Sequence, residues 1–293
     1  MDTRIFLLKN RSVSGRRPPT GPSHDVRRFR LAVWAHYHKE GRHDLPWRKT
    51  RNPYRILVSE VMLQQTQVDR VIPFYTRFIK KFPTSARLAS SSLASVLQMW
   101  QGLGYNRRAK LLHAAAKELA GKPRFVTRFN LVGVLEDLPG VGPYTARAVA
   151  AFAFNADVVF VETNIRTAVM HHFFRRRKSV GDTELVEVLR KLLPKGKSRE
   201  WYSALMDYGA YLKRSGVKLN TKSKHYAKQS KFSGSAREAR GAILRELAKG
   251  HQTKLRLLDL LGDARRAQLT AALKKLIAEG LVQKTRQRYA LAE

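Results

Sequence analysis

Cysteine is absent from all 293 residues. Its absence excludes disulfides, a thiolate nucleophile, a cysteine-ligated zinc site and a cysteine-bound iron–sulfur cluster. Acidic residues are scarce: 22 against 57 lysines and arginines, a formal charge of +35. An excess of that size calls for a polyanionic partner, and nucleic acid leads. No apolar run approaches the ~20 residues of a membrane span, and the basic residues are spread along the chain, so an anionic membrane surface is set aside. Histidine offers no substitute metal site, because His36 with His38 and His171 with His172 lack the i, i+4 spacing that puts two ligands on one helix face.

What is present is a chain whose 43% hydrophobic share can build a large domain and a smaller one. Residues 1–25 read as a disordered basic tail; an Arg-rich, acid-poor organelle transit peptide is the weaker reading. Residues 26–212 form the main body. Its first helix, from Val26 to Gly41, places Phe29, Val33 and Tyr37 on one face with Trp34 beside them. Leu45-Pro46-Trp47-Arg48 is an apolar clip with a cation. Asn52-Pro53 caps and opens a second helix, which the pattern carries through to Val68. Leu57, Glu60, Val61, Gln64 and Val68 share one face of it, so a carboxylate sits on an apolar stripe. Burial there would raise its pKa and make it a general acid; the competing reading pairs it with Arg55 or Arg70.

Gln64, Gln65, Thr66 and Gln67 form a polar cluster suited to a ligand or a DNA groove. In the Gly102-Leu103-Gly104-Tyr105 break, an exposed tyrosine precedes Asn106, Arg107 and Arg108. That arrangement suits base stacking and phosphate contact, or it merely closes a helix junction. Gly140-Val141-Gly142 is a glycine-bracketed turn before a long apolar helix, where free backbone N–H groups make an anion site that includes Thr145 in the first turn. Glu162 and Asn164 stand at another helix start nearby. Alone, these glycines read better as a plain helix–turn–helix connection with a solvated Glu cap, because short glycine motifs are weak evidence.

Arg175 to Lys178 is a basic block, followed by helices at 183–194 and 199–212. The second carries Trp201, Leu205, Tyr208 and Leu212 at core spacing. Residues 213–235 read as a basic linker or strap. Residues 236–293 predict three helices and a hairpin, a winged-helix-like module: helices at 236–249, 253–261 and 264–279, then strands at 281–284 and 288–291. Leu269, Ala272, Leu273, Leu276 and Ile277 line the inner face of its third helix. Arg265, Arg266, Gln268, Lys274 and Lys275 line the outside, suited to a DNA groove or a protein partner.

The run of LPWR at 45–48, PYRILVSEVMLQQTQV at 53–68, GLGYNRRAKLLHAA at 102–115, LPGVGPYTARAV at 138–149, ETNIRT at 162–167 and ALMDYGA at 204–210 resembles the helix-hairpin-helix DNA glycosylases. Within them it most resembles the MutY-like adenine branch, over about residues 27–212. The resemblance implies an all-α, two-lobed fold with a base flipped into the cleft between lobes. Glu60 takes the place of the acid that protonates adenine, and Glu162 that of an aspartate that stabilises the sugar cation, one methylene longer here. Tyr144 and Asn164 take the places of residues that position these groups. Gln65 and Tyr105 resemble the duplex wedges, and Gly140 with Gly142 the phosphate-binding hairpin. Bifunctional relatives put a Schiff-base lysine where Tyr144 stands, so base removal without efficient strand cleavage is implied.

The family's four cluster-binding cysteines are missing, which points to a cluster-free branch, and the C-terminal module does not resemble the Nudix-like domain that inspects 8-oxoguanine. A monovalent cation at the hairpin carbonyls fits the resemblance. The expectation is a monomeric, cytoplasmic, nucleoid-associated monofunctional glycosylase acting on double-stranded DNA with mismatched or oxidised pairs, removing adenine opposite 8-oxoguanine or guanine. A thymine/uracil mismatch glycosylase and a catalytically silent DNA-binding protein are the alternatives.

Overall fold

In the computed structural model, residues 22–121, 131–219 and 231–293 are described. Two apolar cores organise them. The first is built from α2 (Pro53–Leu63), α3 (Val68–Lys81), α4 (Ser85–Ala89), α5 (Leu93–Trp100), α6 (Arg107–Gly121) and α7 (Leu131–Glu136). The second joins α1 (Pro22–Glu40) to α9 (Thr163–Phe173), α10 (Asp182–Leu192) and α11 (Ser198–Arg214). The helix that starts the chain's described part thus packs with those that follow the middle.

Between them lies α8 (Pro143–Phe154), the party wall. Ala146, Val149 and Ala150 face the first core, while Ala148 and Ala151 face the second. Alanine suits this position, since small side chains on all faces let helices close in from both sides and cost little helix propensity. An aromatic pair backs the wall: Phe160 stacks on Tyr202 with ring centroids 4.0 Å apart, and the Tyr202 hydroxyl donates to the Val158 carbonyl at 2.8 Å.

Several boundaries differ from the sequence expectations. Helix α1 begins at Pro22, so residues 22–25 belong to it and not to the tail; residues 1–21 lie outside the described residues. The second helix is shorter than its pattern predicts. Asn52 caps it, accepting from the Arg55 amide at 3.1 Å, but it ends at Leu63, and Gln65 takes a left-handed φ of 54°. The cause is tertiary. The buried Arg108 guanidinium of α6 takes up the carbonyls of Val61, Met62 and Gln64 at 2.8, 3.0 and 2.5 Å, so the last turn is capped from outside. Val68 therefore opens α3.

The C-terminal module comprises α12 (Ala236–Leu247), β1 (Gln252–Thr253), α13 (Lys254–Leu261), α14 (Arg266–Ala278), β2 (Val282–Thr285) and β3 (Arg288–Leu291). A strand absent from the sequence reading, β1, completes a three-stranded antiparallel sheet of order β1-β3-β2, with Gln252 opposite Tyr289. The hairpin turn is tighter than expected, because Thr285 pairs with Arg288 and Arg286 supplies a φ of 55°. Leu269, Ala272, Leu273 and Leu276 are buried as patterned, whereas Ile277 is exposed. The module's apolar residues continue the first core, and Lys110 of α6 donates to the Glu279 carbonyl at 2.7 Å. Of the strap, Lys213 and Arg214 complete α11, and 220–230 lie outside the described residues.

The front of the second core is tied to the first by a buried carboxylate. Asp207 of α11 accepts from the Arg42 amide at 2.8 Å and from the Arg48 Nη1 and Nη2 atoms at 2.6 and 3.0 Å. Arg42 Nε adds a bond at 2.6 Å. Burial pushes the Asp207 pKa up, but the Arg48 hydrogen bond and charge, with Arg42 behind them, outweigh it and hold it below the ordinary 3.8. Replacing Asp207 with Asn should destabilise the fold by about 3 kcal/mol near neutral pH, because two guanidinium groups lose their counter-charge. A lowered carboxyl pKa contributes stability above its unfolded value and loses it as pH falls through the folded one. The gap in Tm between wild type and Asp207→Asn, followed by calorimetry, should therefore narrow below about pH 4.

Candidate active site

The site forms where α2, the start of α8 and the start of α9 meet. Glu60 enters from the first core. Helix α2 is enclosed on nearly every side, with Ile56, Leu57, Val58, Ser59, Val61 and Met62 all buried around it, and Glu60 itself is 5% exposed. Its bond is not to Arg55 or Arg70; Arg70 reaches the Gly102 carbonyl instead. The partner is Tyr144, whose hydroxyl donates to Glu60 Oε2 at 3.1 Å. Desolvation raises the Glu60 pKa to about 7; the Tyr144 hydrogen bond opposes this and the Glu162 charge reinforces it. A carboxyl of that kind holds a proton near neutrality and can give it to a leaving group.

Tyr144 sits in the first turn of α8 with its ring edge-on to Phe160, centroids 5.7 Å apart. The residue is half-buried, and the phenol lies in dense surroundings. Burial first, then the charges of Glu60 and Glu162, push its pKa well above the ordinary 10.0. It is a hydrogen-bond donor to Glu60 and not a base.

Glu162 comes from the second core as the N-cap of α9. Its side chain folds back over the helix start. Oε1 accepts from the amides of Asn164 and Ile165 at 2.8 and 3.0 Å, and Oε2 from Thr163 Oγ1 and Asn164 Nδ2 at 3.1 and 3.3 Å. Four donors and the positive end of the helix dipole converge on one half-buried carboxylate. The two glutamates thus differ in kind, one desolvated and protonatable, the other oriented by N–H and O–H groups.

The hairpin precedes α8. Gly140 has φ 77°, and a Cβ there would stand 2.7 Å from Leu111 Cβ, so both conformation and space require glycine. Val141 is 5% exposed and its amide donates to the Leu138 carbonyl at 3.0 Å, closing the turn. Gly142 is the N-cap, exposed, with nothing within 4 Å of a built Cβ. Pro143 has no N–H, so the amides offered to an anion are those of Gly142, Tyr144 and Thr145. The Thr145 side chain points inward, 2% exposed, and its hydroxyl accepts from Gln64 Nε2 at 3.3 Å. Those two residues join α2 to α8, so neither the Thr145 hydroxyl nor that Gln64 bond is offered to DNA.

Around the mouth, Tyr105 is 36% exposed with φ 49°. Together with Gln65 it is one of two non-glycine residues here in the left-handed region, a strain that surrounding bonds must hold. Arg108 does so for both loops. It donates to Thr66 Oγ1 and the Gly104 carbonyl at 3.3 and 3.2 Å, and its guanidinium lies 5.4 Å from the Tyr105 ring centroid. Burial lowers the Arg108 pKa to about 10. Arg107 is exposed beside it. Arg237 of the C-terminal module donates to the Tyr105 hydroxyl at 3.0 Å.

Sequence reasoning named Glu60, Tyr144, Glu162 and Asn164 and the structure brings all four together; it missed Arg108 as the brace and Lys213. The Lys213 Nζ donates to Asn164 Oδ1 at 2.8 Å, an interaction hidden in the sequence by the surrounding basic run. The segment after α11, where the resembling family holds an iron–sulfur cluster, has no thiolate to offer, and the described residues contain no grouping of His, Asp and Glu that could hold a metal ion. The residues present do not fit a cluster.

Comparison with known proteins identifies the family. Residues 58–195 match the HhH-GPD superfamily base excision DNA repair protein model. An adenine DNA glycosylase of Mycolicibacterium smegmatis is 34% identical over 278 residues, spanning 87% of this chain and 94% of that one. One from Mycobacterium tuberculosis is 34% identical over 287 residues, 91% of this chain and 93% of its own. Among solved structures, a thermostable thymine-DNA glycosylase superposes with a TM-score of 0.56 at 24% identity, covering 70% of this chain and 97% of that one, a likeness of fold. By these matches along nearly its whole length, the chain belongs to the adenine DNA glycosylase family of the HhH-GPD superfamily.

Proposed function

We propose that the protein is a monofunctional base-excision glycosylase that hydrolyses the N-glycosidic bond of adenine mispaired with 8-oxoguanine or guanine, acting as a monomer on nucleoid DNA. The observation that carries this is the pair of unlike glutamates across the seam, Glu60 buried with a pKa of about 7 and Glu162 held by four donors. With adenine flipped into the cleft, Glu60 gives its proton to N7. The electron pair of the C1′–N9 bond leaves with the base, and the cationic sugar is stabilised by the Glu162 carboxylate. Water then adds at C1′ and returns a proton to Glu60, leaving an abasic site. Tyr144 fills the place where an amine would attack the sugar, and a phenol with so high a pKa is no substitute nucleophile.

The mouth supports a duplex partner. Gln65 and Tyr105 are the wedges, Arg107 and the amides of Gly142, Tyr144 and Thr145 take phosphates, and a monovalent cation on the hairpin carbonyls would add to that grip. The C-terminal module, residues 236–293, belongs to the same DNA face. Arg237 at the start of α12 holds Tyr105, and Glu238 beside it is ion-paired with Arg265 at 3.4 Å, so the start of α14 stands next to the wedge. Arg266, Lys274 and Lys275 are exposed along α14.

Four outcomes test the reading. Incubation with labelled duplexes containing A opposite 8-oxoguanine, A opposite G, T opposite G and U opposite G, followed by alkali, should give product from the first two. Glu60→Gln should lower single-turnover excision by about 10²–10⁴-fold with duplex binding retained; equal rates would remove Glu60 from the chemistry. Because the active form carries the proton, the wild-type rate should be level in mild acid and fall as pH rises through about 7. Replacing both Arg266 and Lys274 by Ala should weaken binding to any duplex alike and flatten its dependence on salt by about one unit of slope for each phosphate no longer neutralised. A salt slope unchanged from wild type would assign α14 to another partner.

A further inference from the structure

Helix α11 approaches the start of α9 unusually closely. A Cβ on Gly209 would stand 2.0 Å from the Asn164 carbonyl oxygen, so this face of α11 has no room for any side chain. Lys213 is four residues on, the next position along the same face. From there its Nζ donates to Asn164 Oδ1 at 2.8 Å, while Asn164 Nδ2 donates to Glu162 Oε2 at 3.3 Å. Burial pushes the Lys213 pKa below the ordinary lysine range, with the Glu162 carboxylate opposing. An ammonium drawn out of water toward one amide oxygen is not asked for by packing, since an unbranched apolar chain of similar length would fill the same space at less desolvation cost.

The amide explains it. Asn164 has one acceptor end and one donor end, and only the donor end can face a carboxylate without repulsion. A cation on Oδ1 decides which way the group points. We infer that Lys213 is a positioning residue for the bond-breaking step, fixing the Asn164 amide so that its NH₂ holds Glu162 Oε2 and the carboxylate stays aimed at the sugar. This rests on the proposed glycosylase reaction. Lys213 touches no reacting atom; it acts through Asn164.

The test uses the full chain with Lys213→Met and Lys213→Arg, on whichever duplexes the wild type cuts. Lys213→Met should slow single-turnover excision by about 10- to 100-fold, the scale of misorienting one catalytic group. Its Tm should be unchanged or raised, and its affinity for a duplex carrying a non-cleavable adenine analogue should stay within about threefold, well under the tenfold that 1.4 kcal/mol would make. Lys213→Arg, which keeps a cationic donor, should recover most of the rate. A Lys213→Met rate within twofold of wild type, a slowing matched by falling Tm or affinity, or an Arg variant as slow as the Met variant would each overturn the inference. A wild type that cuts none of the four duplexes would overturn the glycosylase reading with it, and so the two failures are told apart.

Discussion

A carboxyl group taken out of water must give up its charge or find a counter-charge, and Glu60 is placed so that it finds none. Helix α2 is buried around it, its hydrogen-bond partner is a neutral phenol, and the nearest charge acting on it is another carboxylate. The protein accepts that cost at the meeting of two cores, and much of the architecture follows from it. In the proposed reaction a buried acid acts on a base only if a cleft opens beside it, which a single core would close. Two cores sharing one alanine-rich wall leave a seam, and α8 delivers Tyr144 to its edge.

A seam between separate cores would drift unless stitched. Opposite charges do this away from the chemistry. Asp207 gathers Arg42 and Arg48, so α11 is fixed to the clip that leads into α2, and every oxygen of that carboxylate is used. On the other side Arg108 ends α2, braces the glutamine loop and lies against Tyr105. Each cation is satisfied mainly by fixed backbone or carboxylate oxygens, which explains how two strained loop residues hold their left-handed conformations at the mouth.

Sequence periodicity and capping rules reached the elements whose causes are local. Asn52-Pro53 begins α2 because its cap chemistry lies within three residues, and Gly140 announces the hairpin because its φ admits little else. The same rules ran α2 on to Val68, since nothing in QQTQ forbids a helix; the stop comes from Arg108, over forty residues away. Arg48 and Asp207 each looked unremarkable alone, as a cation in a clip and an acid among core residues, and only the fold sets them 2.6 Å apart. Lys213 was hidden among other lysines. Strand β1 is two residues long and exists only because β3 passes beside it, so no pattern within it could show it.

The length of Glu162 illustrates how local and distant causes combine. An aspartate at an N-cap reaches the second or third amide with little freedom, and a glutamate gains a rotatable bond that must be restrained before its carboxylate has one direction. Helix α9 supplies two amides to Oε1, but those leave Oε2 free to swing about the axis they define. Thr163 and the Asn164 side chain close that motion, and an Asn side chain can do so only while its own amide is held. The close approach of α11 at Gly209 brings Lys213 within reach of that amide. The extra methylene is therefore accommodated by a chain of orienting hydrogen bonds that runs from one helix into another, with the carboxylate that the proposed reaction requires at its end.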